Sequence, residues 1–227
     1  MAKTVSNKKR NEARRRRNNL TVILIIAAFA IVVVGMIIIS QSNGQVDVTL
    51  PNLPAKPQPS GMNLGDPNAP VKVVEFADFQ CVVCHEYWLK MESSILDTYV
   101  ATGKVYYTFA NFAFFGKESS DAAAAAYCAN DQGKFWEYHD VIFANYKGEN
   151  VGGFVPKNLK AFAESLGLDM TAFNSCFDSG KYAQKVIDDA AYARSQNVTG
   201  TPSFLVNGKL VYANDLAATI EAALAGK

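Results

Sequence analysis

The chain has 227 residues, of which 49% are hydrophobic and 19% are charged. This length and composition fit one folded domain with a single core. The formal net charge of +1 hides two oppositely charged parts, because the first 19 residues hold eight of the 22 basic residues and one of the 21 acidic ones. The N-terminal part therefore carries +7 and the remainder carries −6.

An uncharged apolar segment, LTVILIIAAFAIVVVGMIIIS, occupies residues 20–40. At ~1.5 Å per residue, a helix of this length reaches across the ~30 Å hydrocarbon layer of a membrane. We predict an uncleaved anchor; the alternative is a removed signal peptide, whose apolar region is usually about 7 to 15 residues long and ends at a small-residue cleavage site.

The basic run before the anchor predicts the topology of the chain. Under the positive-inside rule, residues 1–19 form a cytoplasmic tail and everything after Ser40 lies outside the cytoplasm. Nucleic-acid binding by the same run is the weaker alternative, since the run directly borders the apolar segment. We therefore expect no nucleic-acid partner and a single-pass protein of the cell membrane.

Residues 41–62 are rich in Pro, Gly, Ser and Asn and lack helical periodicity, which predicts a semi-extended linker before a domain at 63–227. All four cysteines follow this linker, on the exported side where disulfides persist. Two of them, Cys128 and Cys176, lie in amphipathic helical runs without a neighbouring cysteine. We predict that they form a structural disulfide; two buried free thiols are the alternative.

The domain alternates between β-rich and helical patterns. VKVVEFADF predicts a strand that is covered on both faces, and KVYYTFANF predicts a second strand. Between them, residues 86–100 have apolar side chains at helical spacing, and residues 119–196 are helical throughout. Asn207-Gly208 predicts a β-hairpin. The last helix is predicted to be capped by Asn214 or Asp215 and to bury Leu216, Ile220 and Leu224.

The motif Cys81-Val82-Val83-Cys84-His85 has three readings: attachment of a haem, half of a zinc site, or exchange of a disulfide. A haem would use His85 and a second axial ligand such as His139 or Met170, but the β-rich segments have no role in a cytochrome. A zinc site lacks a second close pair of ligands. Structural cysteines in an exported chaperone or binding module are a further alternative.

These residues have the types and the spacing that disulfide exchange requires. Cysteines at positions i and i+3 in the first turn of a helix bring their sulfurs within bonding reach. The helix N-terminus stabilises a thiolate at Cys81, and Cys84, one turn deeper, resolves mixed disulfides.

Three segments, EFADFQCVVC, AYCANDQGKFWEYHDVIFAN and VTGTPSFLVNG, give a more specific signal. From about Asn63 onwards the chain resembles the membrane-anchored DsbA-like thiol:disulfide oxidoreductases. The resemblance implies an α/β thioredoxin fold with a helical insertion at about 117–196. It also implies that the protein introduces disulfides into reduced exported proteins, needs no metal or other cofactor, and is re-oxidised by a membrane partner of the DsbB or vitamin K epoxide reductase type. A reductase or isomerase of the same fold is the alternative.

The resemblance assigns roles to three more residues. Glu75, six residues before Cys81, matches a buried acid that relays the proton of Cys84; a solvent-exposed glutamate is the alternative. Pro202 matches a proline with a cis peptide bond, beside which the backbone of Thr201 pairs with substrate.

The motif departs from the family pattern at Val82, where Pro is frequent, and at Val83, where DsbA has His. Neither valine can donate a side-chain hydrogen bond to the thiolate. We therefore expect a reduction potential below the roughly −120 mV of DsbA.

Overall fold

The structure is a computed structural model that describes residues 24–36 and 46–226. Residues 24–36 form one helix, α1, with mostly exposed side chains. Within the described residues, no helix has both the length and the apolar character needed to cross a membrane. The anchor predicted at 20–40 extends past both ends of α1, so it lies partly outside the described residues, and the predicted tail at 1–19 lies entirely outside them.

The second part of the chain, from residue 46, folds as an α/β unit around one five-stranded sheet. The strand order is β1-β3-β2-β4-β5, with β2 and β3 parallel and all other neighbours antiparallel. The strands are β1 (Asn63–Leu64), β2 (Val71–Ala77), β3 (Val105–Asn111), β4 (Ser203–Val206) and β5 (Lys209–Tyr212). The helices are α2 (Val82–Tyr87), α3 (Ser93–Ile95), α4 (Lys117–Asn130), α5 (Phe135–Ala144), α6 (Pro156–Ser165), α7 (Met170–Asp178), α8 (Ala183–Ser195) and α9 (Ala213–Ala225).

The helix after the cysteine motif is longer than α2 alone. Two wide-turn π segments, Trp88–Glu92 and Leu96–Val100, flank α3 and continue the helical path. The helix predicted over residues 86–100 is therefore confirmed.

Strand β2 lies at the centre of the sheet and is covered on both faces, as the sequence predicts. On one face Phe76 packs with Ala190 and Ala193 of α8. On the other face Val73 belongs to the main core, which includes Ile220 of α9. Ala77, which ends β2, is buried in the main core. The cysteine motif follows after the three loop residues 78–80.

The hairpin predicted at Asn207-Gly208 is confirmed. Both residues have positive φ, 48° and 85°, which is the backbone that a tight turn between twisted antiparallel strands requires. The predicted cap of the last helix is wrong, because α9 begins at Ala213 and its N-cap is Tyr212. Asn214 and Asp215 therefore already lie in the first turn.

The helical insertion is also confirmed and comprises α4 to α8. The structure joins Cys128 of α4 to Cys176 of α7, with sulfurs 2.06 Å apart and a sequence separation of 48. The bridge connects two helices that also pack against each other. It thus closes a loop that contains α5 and α6.

Part of the linker predicted at 41–62 makes contacts with the domain that the sequence does not predict. Residues 46–59, which we call the strap, are mostly exposed but contact the domain at separate points. The Thr49 amide donates to Asn145 Oδ1 at 2.9 Å, and Asn145 Nδ2 donates to the Thr49 carbonyl at 2.8 Å. Further along, the Lys56 side chain is only 9% exposed. A Pro-rich composition predicted no such contacts, because the partners lie far away in the sequence.

We predict that the Cys128–Cys176 bridge stabilises the domain by up to about 4 kcal/mol, the value that loop entropy gives for a loop of this length. Replacing both residues with Ser, in a Cys81→Ala/Cys84→Ala background, should lower the free energy of unfolding measured in urea. The parent background should show no alkylatable thiol after denaturation without reductant. Two alkylatable thiols there, or equal stabilities, would contradict the prediction.

Candidate active site

The two motif cysteines lie at the start of α2 and are both buried, with Cys81 3% and Cys84 0% exposed. Cys81 is the N-cap residue of α2, and its Sγ accepts a hydrogen bond from the Cys84 amide at 3.3 Å. Both thiols are free in this structure. Val82 and Val83, in contrast, are about half exposed. The dithiol therefore lies just beneath a small apolar surface.

A buried carboxylate shapes the loop between β2 and α2. Asp78 Oδ1 accepts from the Gln80 amide at 2.8 Å and from Ser119 Oγ at 2.6 Å, and Oδ2 accepts from the Phe114 amide at 2.8 Å. The Asp78 carbonyl accepts from the Cys81 amide at 3.0 Å. Asp78 thereby fixes Cys81 against the loop that leads into α4.

The loop before β4 completes the site. The Thr201–Pro202 peptide bond is cis. The Cys81 thiol, when it holds its proton, donates from Sγ to the Thr201 carbonyl at 3.3 Å, although the two residues are 120 positions apart. Pairing of Phe76 in β2 with Ser203 in β4 brings them together. The structure therefore places the Thr201–Pro202 loop beside the dithiol, as the family resemblance implies.

The two thiols differ strongly in acidity. The pKa of Cys81 is lowered to about 6, chiefly by a hydrogen bond from the Cys84 thiol and further by the amides of Cys84 and Val83, while burial opposes the shift. Burial raises the pKa of Cys84 well above its ordinary value, and the neighbouring Cys81 adds to this. Cys81 is thus the thiolate near neutral pH, and Cys84 keeps its proton.

Glu75 lies in the middle of the sheet, paired with Phe109 of β3 and Phe204 of β4, and is 2% exposed. The Tyr107 hydroxyl donates to Glu75 Oε2 at 2.6 Å and lies 3.2 Å from the Tyr87 hydroxyl. Burial, assisted by the charge of Glu92, raises the pKa of Glu75 to about 8. Glu75 is therefore a buried acid that holds its proton near neutral pH, and it is not the solvent-exposed glutamate of the alternative reading.

A buried group of charged side chains, which we call the Lys56 cluster, consists of Lys56, Glu92, His139 and Asp140. Lys56 Nζ lies 2.5 Å from Glu92 Oε2 and 3.1 Å from Asp140 Oδ1. His139 Nδ1 lies 2.9 Å from Asp140 Oδ1. Glu92, His139 and Asp140 lie close enough together to share a cation. The ammonium group of Lys56 already bonds to both carboxylates, so the chain supplies the positive charge itself.

The His85 side chain is half-buried. The structure shows no hydrogen bond between its ring and the thiols of Cys81 and Cys84. Its ring stacks on Tyr146 at 4.7 Å and lies 5.8 Å from the Trp88 ring. Burial lowers the pKa of His85. Of the second axial ligands considered for a haem, His139 belongs to the Lys56 cluster and Met170 packs against the core.

Sequence reasoning missed Asp78, Tyr107 and the Lys56 cluster. The sequence holds a weak signal for Asp78, because an Asp side chain in a loop often accepts a hydrogen bond from the backbone amide two residues later. Here that amide belongs to Gln80. No local signal existed for Lys56, because its partners lie 36 and 84 residues away in the chain.

Comparison with known proteins gives matches over most of this domain. A family model described as "Thioredoxin" matches residues 57–225. A "Probable disulfide bond formation protein D" of Bacillus anthracis is 36% identical over 152 residues, which cover 65% of this chain and 70% of that protein. The "Disulfide bond formation protein D" of Bacillus subtilis is 29% identical, in a match that covers 72% of this chain and 77% of that protein. The crystal structure of oxidised BdbD from Bacillus subtilis has a TM-score of 0.67 and 27% identity, covering 76% of this chain and 99% of that one.

These matches and the buried dithiol together define a thioredoxin-fold enzyme that exchanges thiols and disulfides. The chain belongs to the thioredoxin family and is a DsbA-like protein disulfide oxidoreductase. The haem, zinc and non-enzymatic readings of the motif have no support from these comparisons.

We predict that Cys81 in the reduced protein titrates with a midpoint near pH 6, as its lowered pKa indicates. Absorbance of the thiolate at about 240 nm measures this titration. Because the pKa is depressed, the reduced form should gain stability as pH rises from about 6 towards the ordinary thiol value of 9.0 and lose it on acidification. Cys81→Ala should abolish the transition and Cys84→Ala should keep one. A wild-type midpoint near 9 would show that the site does not stabilise the thiolate.

Proposed function

We propose that this protein introduces disulfides into exported proteins, with its catalytic domain outside the cytoplasm and its N-terminus anchored in the cell membrane. The observation that carries the proposal is the unequal acidity of the two thiols. A stabilised Cys81 thiolate favours the reduced form of the dithiol, and an enzyme whose reduced form is favoured is an oxidant of its substrates.

The exchange proceeds through one mixed disulfide. A substrate thiolate attacks Cys81 Sγ of the oxidised enzyme, the Cys81–Cys84 bond breaks, and the electron pair leaves on Cys84. Cys84 then takes a proton, and we propose that the buried Glu75 carboxyl supplies it. A second substrate thiolate attacks the substrate sulfur of the mixed disulfide, so the substrate is oxidised and Cys81 departs as its stable thiolate.

Substrate binding is proposed to use the backbone beside the dithiol. The loop at Thr201 and Pro202 presents a carbonyl within 3.3 Å of Cys81 Sγ, and an extended substrate segment can pair there as an added strand. Main-chain pairing carries little sequence preference. Broad substrate selection among reduced exported proteins follows from it.

Return to the oxidised state needs an electron acceptor. We propose a membrane partner of the DsbB or vitamin K epoxide reductase type, which takes the two electrons of the dithiol. The apolar, uncharged segment at 20–40 and the basic run before it support membrane attachment with the N-terminus inside. No metal or other cofactor enters this cycle.

We predict a reduction potential between the roughly −270 mV of thioredoxin and the roughly −120 mV of DsbA. A Cys81 pKa of about 6 lies between the values of about 7 and about 3.5 for the same two proteins, which explains the order. Equilibration with glutathione buffers measures the potential. Val83→His adds a donor near the thiolate and should raise the potential, whereas Lys134→Met, far from the thiols in an exposed ion pair, should not. A wild-type potential at or below that of thioredoxin would favour the reductase alternative.

We also predict that Cys84→Ala, expressed as the full chain, accumulates mixed disulfides through Cys81 with exported proteins and with a membrane protein. Only the second thiol can release such adducts. Non-reducing electrophoresis followed by mass spectrometry identifies the partners, and dithiothreitol should dissolve the adducts. Cys81→Ala should trap none. Adducts with cytoplasmic proteins alone would contradict the proposed location.

A further inference from the structure

The exchange steps described above do not use the Lys56 cluster, although its buried charges contact the helical path that follows the cysteine motif. Glu92 and His139 are each 1% exposed and Asp140 is 7% exposed. Burying so much charge costs free energy unless every member is paired. Lys56 pairs with both carboxylates, and removing it would leave His139 as the remaining basic neighbour of Glu92 and Asp140.

Lys56 reaches the interior from the strap and not from the sheet or the helices. Its ammonium group lies 5.7 Å from the centre of the Trp136 ring and bonds to Glu92 in the helical path that follows the cysteine motif. The Thr49 contacts with Asn145 hold the strap in place several residues earlier. The strap thus brings a cation to Glu92 in the helical path that begins at the dithiol.

A chain of contacts connects the cluster to the proton relay. Lys56 Nζ lies 5.7 Å from the centre of the Trp136 ring, the Trp136 and Tyr107 ring centres are 6.5 Å apart, and the Tyr107 hydroxyl donates to Glu75 Oε2 at 2.6 Å. The groups facing Glu75 are the hydroxyls of Tyr107 and Tyr87, the carboxylate of Glu92, the ammonium of Lys56 and the thiol of Cys81. Glu92 raises the pKa of Glu75, and Lys56 lowers it. The groups facing Lys56 are Glu92 and Asp140, and Asp140 is in turn bonded to His139 and to the Trp88 indole.

We propose that Lys56 is a positioning residue for thiol exchange: by neutralising Glu92, it enables Glu75 to release and recover the proton that Cys84 exchanges. The inference rests on the relay role proposed above for Glu75. Without Lys56, Glu92 would be a buried anion with only the His139 ring, at 3.7 Å, as a basic neighbour, and Glu75 would keep its proton to higher pH. Resolution by Cys84 would then slow, while attack by Cys81 would not.

The two steps can be separated with Ellman's reagent. Cys81 of the reduced protein forms a mixed disulfide and releases one coloured thiolate; Cys84 then resolves it and releases the second. Stopped-flow measurement across pH 5 to 10 gives a rate and a pH midpoint for each phase. In this assay Glu75→Gln removes the titrating relay, so the midpoint of the second phase should be lost or displaced if Glu75 is the relay.

Lys56→Met should shift the second-phase midpoint upward by about one pH unit or more, the size typical of losing a close opposite charge. The first phase should change less than twofold. Lys56→Arg should retain the wild-type midpoint, and Lys134→Met, which removes an exposed lysine of a surface pair, is the matched control that should change neither phase.

Glu92→Gln should shift the same midpoint downward, because it removes the anion and leaves the cation near Glu75. The second-phase midpoint of the double variant Lys56→Met/Glu92→Gln should lie at higher pH than that of Glu92→Gln alone. This comparison isolates the effect of Lys56 even if the single variant Lys56→Met fails to fold. Equal midpoints for those two variants, or a foldable Lys56→Met that loses stability in urea without moving the midpoint, would overturn the proposal. An unchanged second phase in Glu75→Gln would instead overturn the relay role of Glu75, and the two failures are thereby distinguished.

Discussion

The hydrogen bond between the Cys84 amide and Cys81 Sγ, at the N-cap of α2, is the interaction on which the site depends. An N-cap normally uses a hydroxyl or carboxylate oxygen to satisfy the free amides of the first turn. Here a sulfur takes that place. Negative charge on this sulfur satisfies the helix terminus better than a neutral thiol does, so the stability of the helix and the reactivity of the thiol are linked.

The sheet makes that arrangement possible. The cysteine motif follows β2, and the Thr201–Pro202 loop precedes β4. Because these two strands are antiparallel neighbours, both loops lie at the same end of the strands. The insertion of α4 to α8 separates the two loops in sequence without moving them apart in space. Asp78 then ties the first loop to the start of α4, so the insertion also contributes to the geometry of the dithiol.

Much of this arrangement could be predicted from sequence, for physical reasons that are local. Strand β2, the helix after the motif and the Asn207-Gly208 turn each depend on neighbouring residues, and a period or a turn preference reveals them. The N-cap of α9 was mispredicted because Tyr212 ends β5 and starts the helix with no capping hydrogen bond from its side chain. The Lys56 cluster could not be found at all, since an ion pair across many residues leaves no periodic pattern.

The strap has a practical meaning for anyone who prepares this protein without its apolar N-terminal segment. The family match begins at residue 57, one position after Lys56, and composition places the start of the domain near Asn63. A fragment designed from either boundary would discard the lysine and leave Glu92 and Asp140 buried without their cation, a loss of the kind that costs about 3 to 5 kcal/mol. Such a truncated enzyme would keep both cysteines, but its fold would be less stable and the pH profile of its thiol exchange would be altered. Activity values obtained with it would describe the fragment and not the protein.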